Sequence, residues 1–211
     1  MTKPHYWDDA TRALAAGDAV LAKLIAAYPG LHLTRRGDPF TTLARAIVGQ
    51  QISVKAAQTI WDRLQKACGS VGGAPLDASR VQRKRIATLR ACGLSERKAE
   101  YIRDLARHFV SSRLDPAGWP ALDDETLIQA LVDVKGIGRW TAEMFLMFHE
   151  LRANVLPVDD IGLQKAVAMH YFDGERPTQD ALRVLGERWQ PYRSVATWYL
   201  WRSLDPIPVE Y

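Results

Sequence analysis

Two adjacent carboxylates, Asp159 and Asp160, follow Pro157 in the stretch NVLPVDDIGLQKAV. The proline breaks the preceding chain, and the two Asp open a helix. One Asp is enough to cap a helix by accepting a backbone N–H, so the second is surplus to capping. A carboxylate at a helix N-terminus stays ionised, because the helix dipole and the free N–H groups favour the anion. Beside a cleft, such a fixed negative charge stabilises positive charge developing on a sugar. Spacing alone does not choose between the two Asp. A second chemistry-bearing stretch lies upstream, LIQALVDVKGIGRWTAEMFLMF at residues 127–148. Gly136 and Gly138 admit positive φ and a close approach of backbone to a ligand. The helix that follows turns its free N–H groups toward an anion, and Lys135 and Arg139 flank the turn with positive charge. A device of this kind grips a phosphate without reading a base.

The elements that must position these residues are helices. Phe40, Leu43, Ala44, Ile47, Val48 and Ile52 recur at helical spacing. Ser53 is placed to cap a second helix carrying Val54, Ala57, Ile60, Trp61 and Leu64, which ends at CGSVGG. Ile86 and Leu89 lead to Gly93, and Ser95 caps an amphipathic run through Ala99, Ile102, Leu105, Ala106, Phe109 and Val110. RLDPAGWPALDD connects the two halves. Beyond it come short helices over 127–132, 139–149 and 161–171, then one capped by Thr178 that runs to Trp189. A last helix runs through Trp201, with Pro191 in its first turn. The pattern predicts an all-α protein of many short helices.

The bulk properties narrow the function. The 211 residues carry a net charge of +4, a mild tilt toward polyanionic partners. With only two cysteines, Cys68 and Cys92, the chain cannot build a disulfide framework or a four-thiolate iron–sulfur cluster. No apolar run approaches the roughly 20 residues of a membrane span, and MTKPHYWDDATRAL lacks the apolar core of a signal peptide. A cytoplasmic protein is expected, nucleoid-associated if bacterial. The basic run RVQRKRIATLR at 80–90 reads as a solvated helix face.

Several stretches in order, RAIVGQQIS (45–53), GLSERKAEYI (93–102), GIGRWTA (136–142), LPVDD (156–160) and ERWQPYRSVATWYLW (187–201), resemble the helix-hairpin-helix (HhH-GPD) DNA glycosylase superfamily. The resemblance is to its 3-methyladenine DNA glycosylase II branch, in a short form without the N-terminal β-domain, and covers Asp38 to Trp201. It implies two helical lobes with the active site between them. One lobe spans about 36–115, the other 1–35 plus 116–211, and the hairpin occupies about 125–150. It implies that Asp160, rather than Asp159, is catalytic. Trp140 and Trp201 would line the base pocket. Met144 stands where relatives often carry an aromatic, which leaves base preference open. Lys135, Gly136, Gly138, Arg139 and Thr141 would bind DNA. Gln51, in better register than Gln50, would fill the gap left by a flipped base. The main-chain carbonyls of Val132, Val134 and Ile137 would hold a monovalent cation, with no other cofactor.

The implied activity is a monofunctional glycosylase that excises alkylated purines from double-stranded DNA, acting as a monomer. N-glycosidic cleavage passes through an oxocarbenium-like sugar, and an N-alkylated purine, already cationic, leaves as a neutral base without a second acid. Stacking such a cation on Trp contributes about 0.5–2 kcal/mol. Trp140 stands where lyase relatives carry a Lys nucleophile, so strand cleavage through a Schiff base at that position is excluded. Two alternatives are a non-catalytic helix-hairpin-helix DNA-binding module and a glycosylase for oxidised or deaminated bases. Asp160 and the Trp-rich last helix favour an enzyme, since a pure binder needs neither.

Overall fold

The structure, a computed structural model, describes residues 3–35, 37–70 and 72–204. They form twelve α-helices and no strand: α1 (Trp7–Gly17), α2 (Ala19–Ala27), α3 (Pro39–Gly49), α4 (Val54–Ala67), α5 (Ala78–Gln82), α6 (Ile86–Ala91), α7 (Glu96–Val110), α8 (Asp124–Val132), α9 (Arg139–Phe148), α10 (Ile161–Tyr171), α11 (Gln179–Glu187) and α12 (Arg193–Leu204). Side-chain caps set many of the starts. Ser53, Ser95 and Thr178 accept the backbone N–H groups of Ala56, Lys98 and Ala181 at 3.3, 3.2 and 3.1 Å, as the sequence predicts. Pro191 departs from expectation. It lies in the turn ahead of α12, which begins two residues later at Arg193, so proline ends one segment rather than starting the next. No helix among the described residues is long and apolar enough to cross a membrane.

The chain divides into two compact units, Met1–Arg35 with Leu146–Tyr211, and Arg36–Phe145. The first is built from both ends of the sequence. Trp7, Leu14, Leu21 and Leu24 of α1 and α2 share a core with Leu163, Val167, Leu182, Trp189 and Trp198. Its polar knot is Asp18. That buried carboxylate caps α2 by accepting from Val20 and Leu21 N–H at 2.9 and 3.1 Å. It also receives Tyr171 Oη–H at 3.0 Å and the Trp189 indole N–H at 3.3 Å. Burial and the adjacent Asp18 charge push the Tyr171 phenol well above its ordinary pKa, so it remains a donor.

The second unit is organised around α7, against which α3, α5 and α6 pack. Ile102, Leu105 and Ala106 on its inner face are fully buried, each large side chain stabilising the fold by about 1.5–3 kcal/mol. A chain of edge-on aromatic contacts runs Phe40–Phe109–Trp119–Phe145, with centroids 5.3, 6.2 and 5.4 Å apart. This chain explains a difference from the expected lobes. Residues 116–145 belong to the same compact unit as 36–115, where Trp119, Phe145 and the hairpin turn join α7 and its neighbours.

Candidate active site and hairpin

Asp160 is the N-cap of α10, and its Oδ1 accepts the Leu163 N–H at 2.6 Å. The same oxygen accepts the indole N–H of Trp201, from α12, at 2.8 Å. Trp201 stacks on Phe148 at the end of α9, with ring centroids 5.8 Å apart and planes 10° from parallel. Gly162 makes this packing possible. A Cβ there would stand 3.0 Å from Asp160 Oδ1 and 3.2 Å from the indole. The result is a half-buried carboxylate whose direction is set by the Leu163 backbone N–H and the Trp201 indole N–H. Asp159 has a different fate. It is exposed and pairs with Gln179. An open depression of about 490 Å³ along α10, lined by Ile161, Lys165, Met169 and Arg176, contains neither Asp160 nor Trp201.

The hairpin is α8, the turn 133–138 and α9. Gly136 has φ +85°, and a Cβ on it would lie 2.1 Å from the Tyr101 ring of α7, so no other residue fits. Gly138 is different from expectation. Its φ is not positive, and a Cβ there would meet nothing within 4 Å, so this chain's own fold does not demand glycine at 138. Lys135 is exposed, and its backbone N–H is held by the buried Asp104 carboxylate of α7 at 3.1 Å. Arg139 spans the two hairpin helices. Its guanidinium donates to both carboxylate oxygens of Glu125 at 2.9 and 2.7 Å and to Glu143 at 3.1 Å. Hydrogen bonds from Arg139 and then Gln129 hold the Glu125 carboxyl down to about 2. The positive charge expected at the turn is therefore shared with two carboxylates, and Arg139 works as a clamp between α8 and α9. Thr141 lies half-buried in the first turn of α9. Trp140 is 41% exposed, and Trp140, Met144 and Phe148 recur every fourth residue along that helix.

Between α3 and α4 lies the turn Gln50–Ser53. Gln51 is exposed with φ +57°, a left-handed conformation that costs a non-glycine residue about 1–2 kcal/mol. Gln50 turns the other way, and its Nε2 donates to the carbonyl of Gly136 at 2.9 Å. The structure thus groups Asp160 with Trp201, and Gln50 with Gly136.

Comparison with known proteins assigns the chain to a family. The profile of the HhH-GPD superfamily base excision DNA repair proteins matches residues 44–191, from inside α3 to the turn before α12. The chain belongs to the HhH-GPD superfamily. It is 31% identical over 189 residues to a putative DNA-3-methyladenine glycosylase of Bacillus subtilis, an alignment covering 88% of this chain and 66% of that protein. It thus spans just under two thirds of that relative's length. A DNA-3-methyladenine glycosidase from Bacillus halodurans has a similar structure, with TM-score 0.88 and 36% identity over 97% of this chain and 93% of that one. So does the 3-methyladenine DNA glycosylase of Schizosaccharomyces pombe in complex with abasic DNA, with TM-score 0.78 and 28% identity over 92% and 96%.

Within this HhH-GPD chain, four contributors escape a reading of the sequence. Phe148, Gly162, Lys98 and Tyr101 matter through contacts between helices, and all but Gly162 are ordinary by type and spacing. Gly162 alone carried a signal. A glycine in the first turn of a helix, next to a paired Asp, is a poor helix former whose presence asks for a close neighbour.

Proposed function

We propose that this protein is a monofunctional DNA glycosylase that excises alkylated purines of the 3-methyladenine type from double-stranded DNA and leaves an abasic site. The observation that carries the reading is Asp160, aimed by the Leu163 N–H and the Trp201 indole and seated on the helix that follows the hairpin. The similarity to glycosylases so named supports the substrate class.

The chemistry follows from these groups. The target base is flipped from the stack, and its C1′–N bond breaks with the electron pair leaving on the base. An N-alkylated purine is thereby neutralised. The sugar gains oxocarbenium character, which the fixed carboxylate of Asp160 stabilises electrostatically. Water adds to C1′ and loses its proton. Trp201 and Trp140 supply aromatic surface for a cationic base, with Met144 one helical turn beyond Trp140. Gln51 fills the space the base vacates. Gly136, Gly138, Lys135 and Thr141 grip a phosphate at the hairpin, with Arg139 bracing it. The carbonyls of Val132, Val134 and Ile137 supply oxygen donors of the kind a monovalent cation takes. Val134 O keeps one lone pair for this after accepting the Ile137 N–H at 3.1 Å. A single chain holds all these groups, and the protein acts as a monomer.

The test is incubation with methylated DNA and chromatography of the released bases. Wild-type protein is expected to release 3-methyladenine. Asp160→Asn keeps a capping oxygen but loses the charge, and should slow release by about 100-fold or more while DNA affinity holds. Absence of release by the wild type, or undiminished release by the variant, would overturn the proposal.

A further inference from the structure

Two loops that the proposed function treats as separate tools are physically joined. Gln50 Nε2 donates to the Gly136 carbonyl at 2.9 Å, so the turn that presents Gln51 is fastened to the turn proposed to grip phosphate. The fastening is braced on its other side. The ammonium of Lys98, on α7, donates to the carbonyls of Val48 and Gln50 at 2.8 and 2.6 Å and so caps the end of α3. Burial lowers the Lys98 pKa by taking the ammonium partly out of water. The same helix supplies Asp104, which accepts the Lys135 N–H, and Tyr101, whose ring fills the space beneath Gly136. One helix therefore sets both turns, and one side-chain amide links them directly.

Gln51 itself stands exposed in a left-handed conformation immediately after Gln50. Its direction depends on where the Gln50 peptide is held. We propose that Gln50 is a positioning residue: through its bond to the Gly136 carbonyl, it makes seating of a DNA phosphate at the hairpin set the placement of the Gln51 side chain in the duplex. Lys98 is the second positioning residue, fixing the Gln50 peptide from the α7 side. Gln50 in this role touches no DNA. The inference rests on the DNA-binding part of the proposed function but not on base release.

The experiment uses the full chain and a duplex with a tetrahydrofuran abasic analogue opposite 2-aminopurine, whose fluorescence reports filling of the gap. Gln50→Glu keeps the size of the side chain but removes the donor and sets a carboxylate against a carbonyl. Binding by anisotropy should change by no more than about 3-fold, while the 2-aminopurine response at saturating protein falls about 10-fold, as it should for Gln51→Ala. The double variant should be no worse than Gln51→Ala alone, because the two residues act in series. Lys98→Met should repeat the Gln50→Glu result and Lys98→Arg should restore the response.

A wild-type gap-filling signal in Gln50→Glu would overturn the proposal. So would a loss that merely tracks affinity or thermal stability, or losses that multiply in the double variant. A protein that fills the gap as described yet releases no methylated base would leave this coupling standing and sink the proposed substrate. One that fails to bind the duplex at all would sink both.

Discussion

At the scale of single residues, the carboxylate pair resolves into two jobs. Asp160 accepts two converging donors and is half-buried, whereas Asp159 pairs with Gln179 in solvent. Trp201 does more than the pocket lining expected of it, because its indole N–H aims the Asp160 carboxylate. Trp201→Phe keeps an aromatic ring over Phe148 but removes that donor. Single-turnover release of methylated base should slow by about 10-fold, the equivalent of roughly 1.5 kcal/mol for a hydrogen bond to a charged group. Equal rates would show that the indole N–H is not needed to aim Asp160. The presence of an acidic helix start was plain in LPVDD. Which Asp faces the indole was not, because adjacent residues on a helix start differ only in what the rest of the chain places around them.

At the scale of elements, the hairpin separates two glycines that look alike in GIG. Gly136→Ala collides with Tyr101 and forces alanine into φ +85°. It should destabilise the protein by about 2–4 kcal/mol, read as a shift in the urea midpoint. Gly138→Ala meets nothing in the protein. Its midpoint should stay within about 0.5 kcal/mol of wild type while DNA affinity falls, uniformly across sequences at fixed salt. Unchanged affinity would mean that no phosphate approaches Gly138. Helix positions were largely legible because apolar spacing and Ser, Thr and Asp caps agree along the chain. The turn chemistry was less so. Arg139 read as charge offered to DNA, yet Glu125 lies 14 residues earlier on the facing helix and claims both ends of its guanidinium. That pairing belongs to how α8 and α9 face each other, which no local pattern encodes.

At the scale of the whole molecule, the unit formed from both chain ends depends on Asp18. Removing its carboxylate by Asp18→Ala leaves the Tyr171 hydroxyl and the Trp189 indole without their acceptor and uncaps α2. A loss of about 3 kcal/mol is expected, as a fall in melting temperature accompanied by early proteolysis within α1 and α2. A melting curve like that of the wild type would mean that the apolar core around Trp7 and Trp198 holds the ends together without it. The family resemblance implied that this N-terminal stretch partners the C-terminal part. It did not identify the Asp–Tyr–Trp knot, whose Asp stands more than 150 residues from both aromatic partners.

The two-ended construction has a consequence for the order of events at the ribosome. Arg36–Phe145 is one continuous stretch, so it is complete while the C-terminal third is still being made. The first 35 residues, by contrast, must wait for α10 and α12 before their apolar faces find cover. A nascent chain can thus fold its hairpin and Gln51 turn before Asp160 is seated against Trp201 of the last described helix. On the proposed function, the turns that grip phosphate form before the carboxylate that acts on the sugar is aimed, and the α12 that carries Trp201 closes that interval.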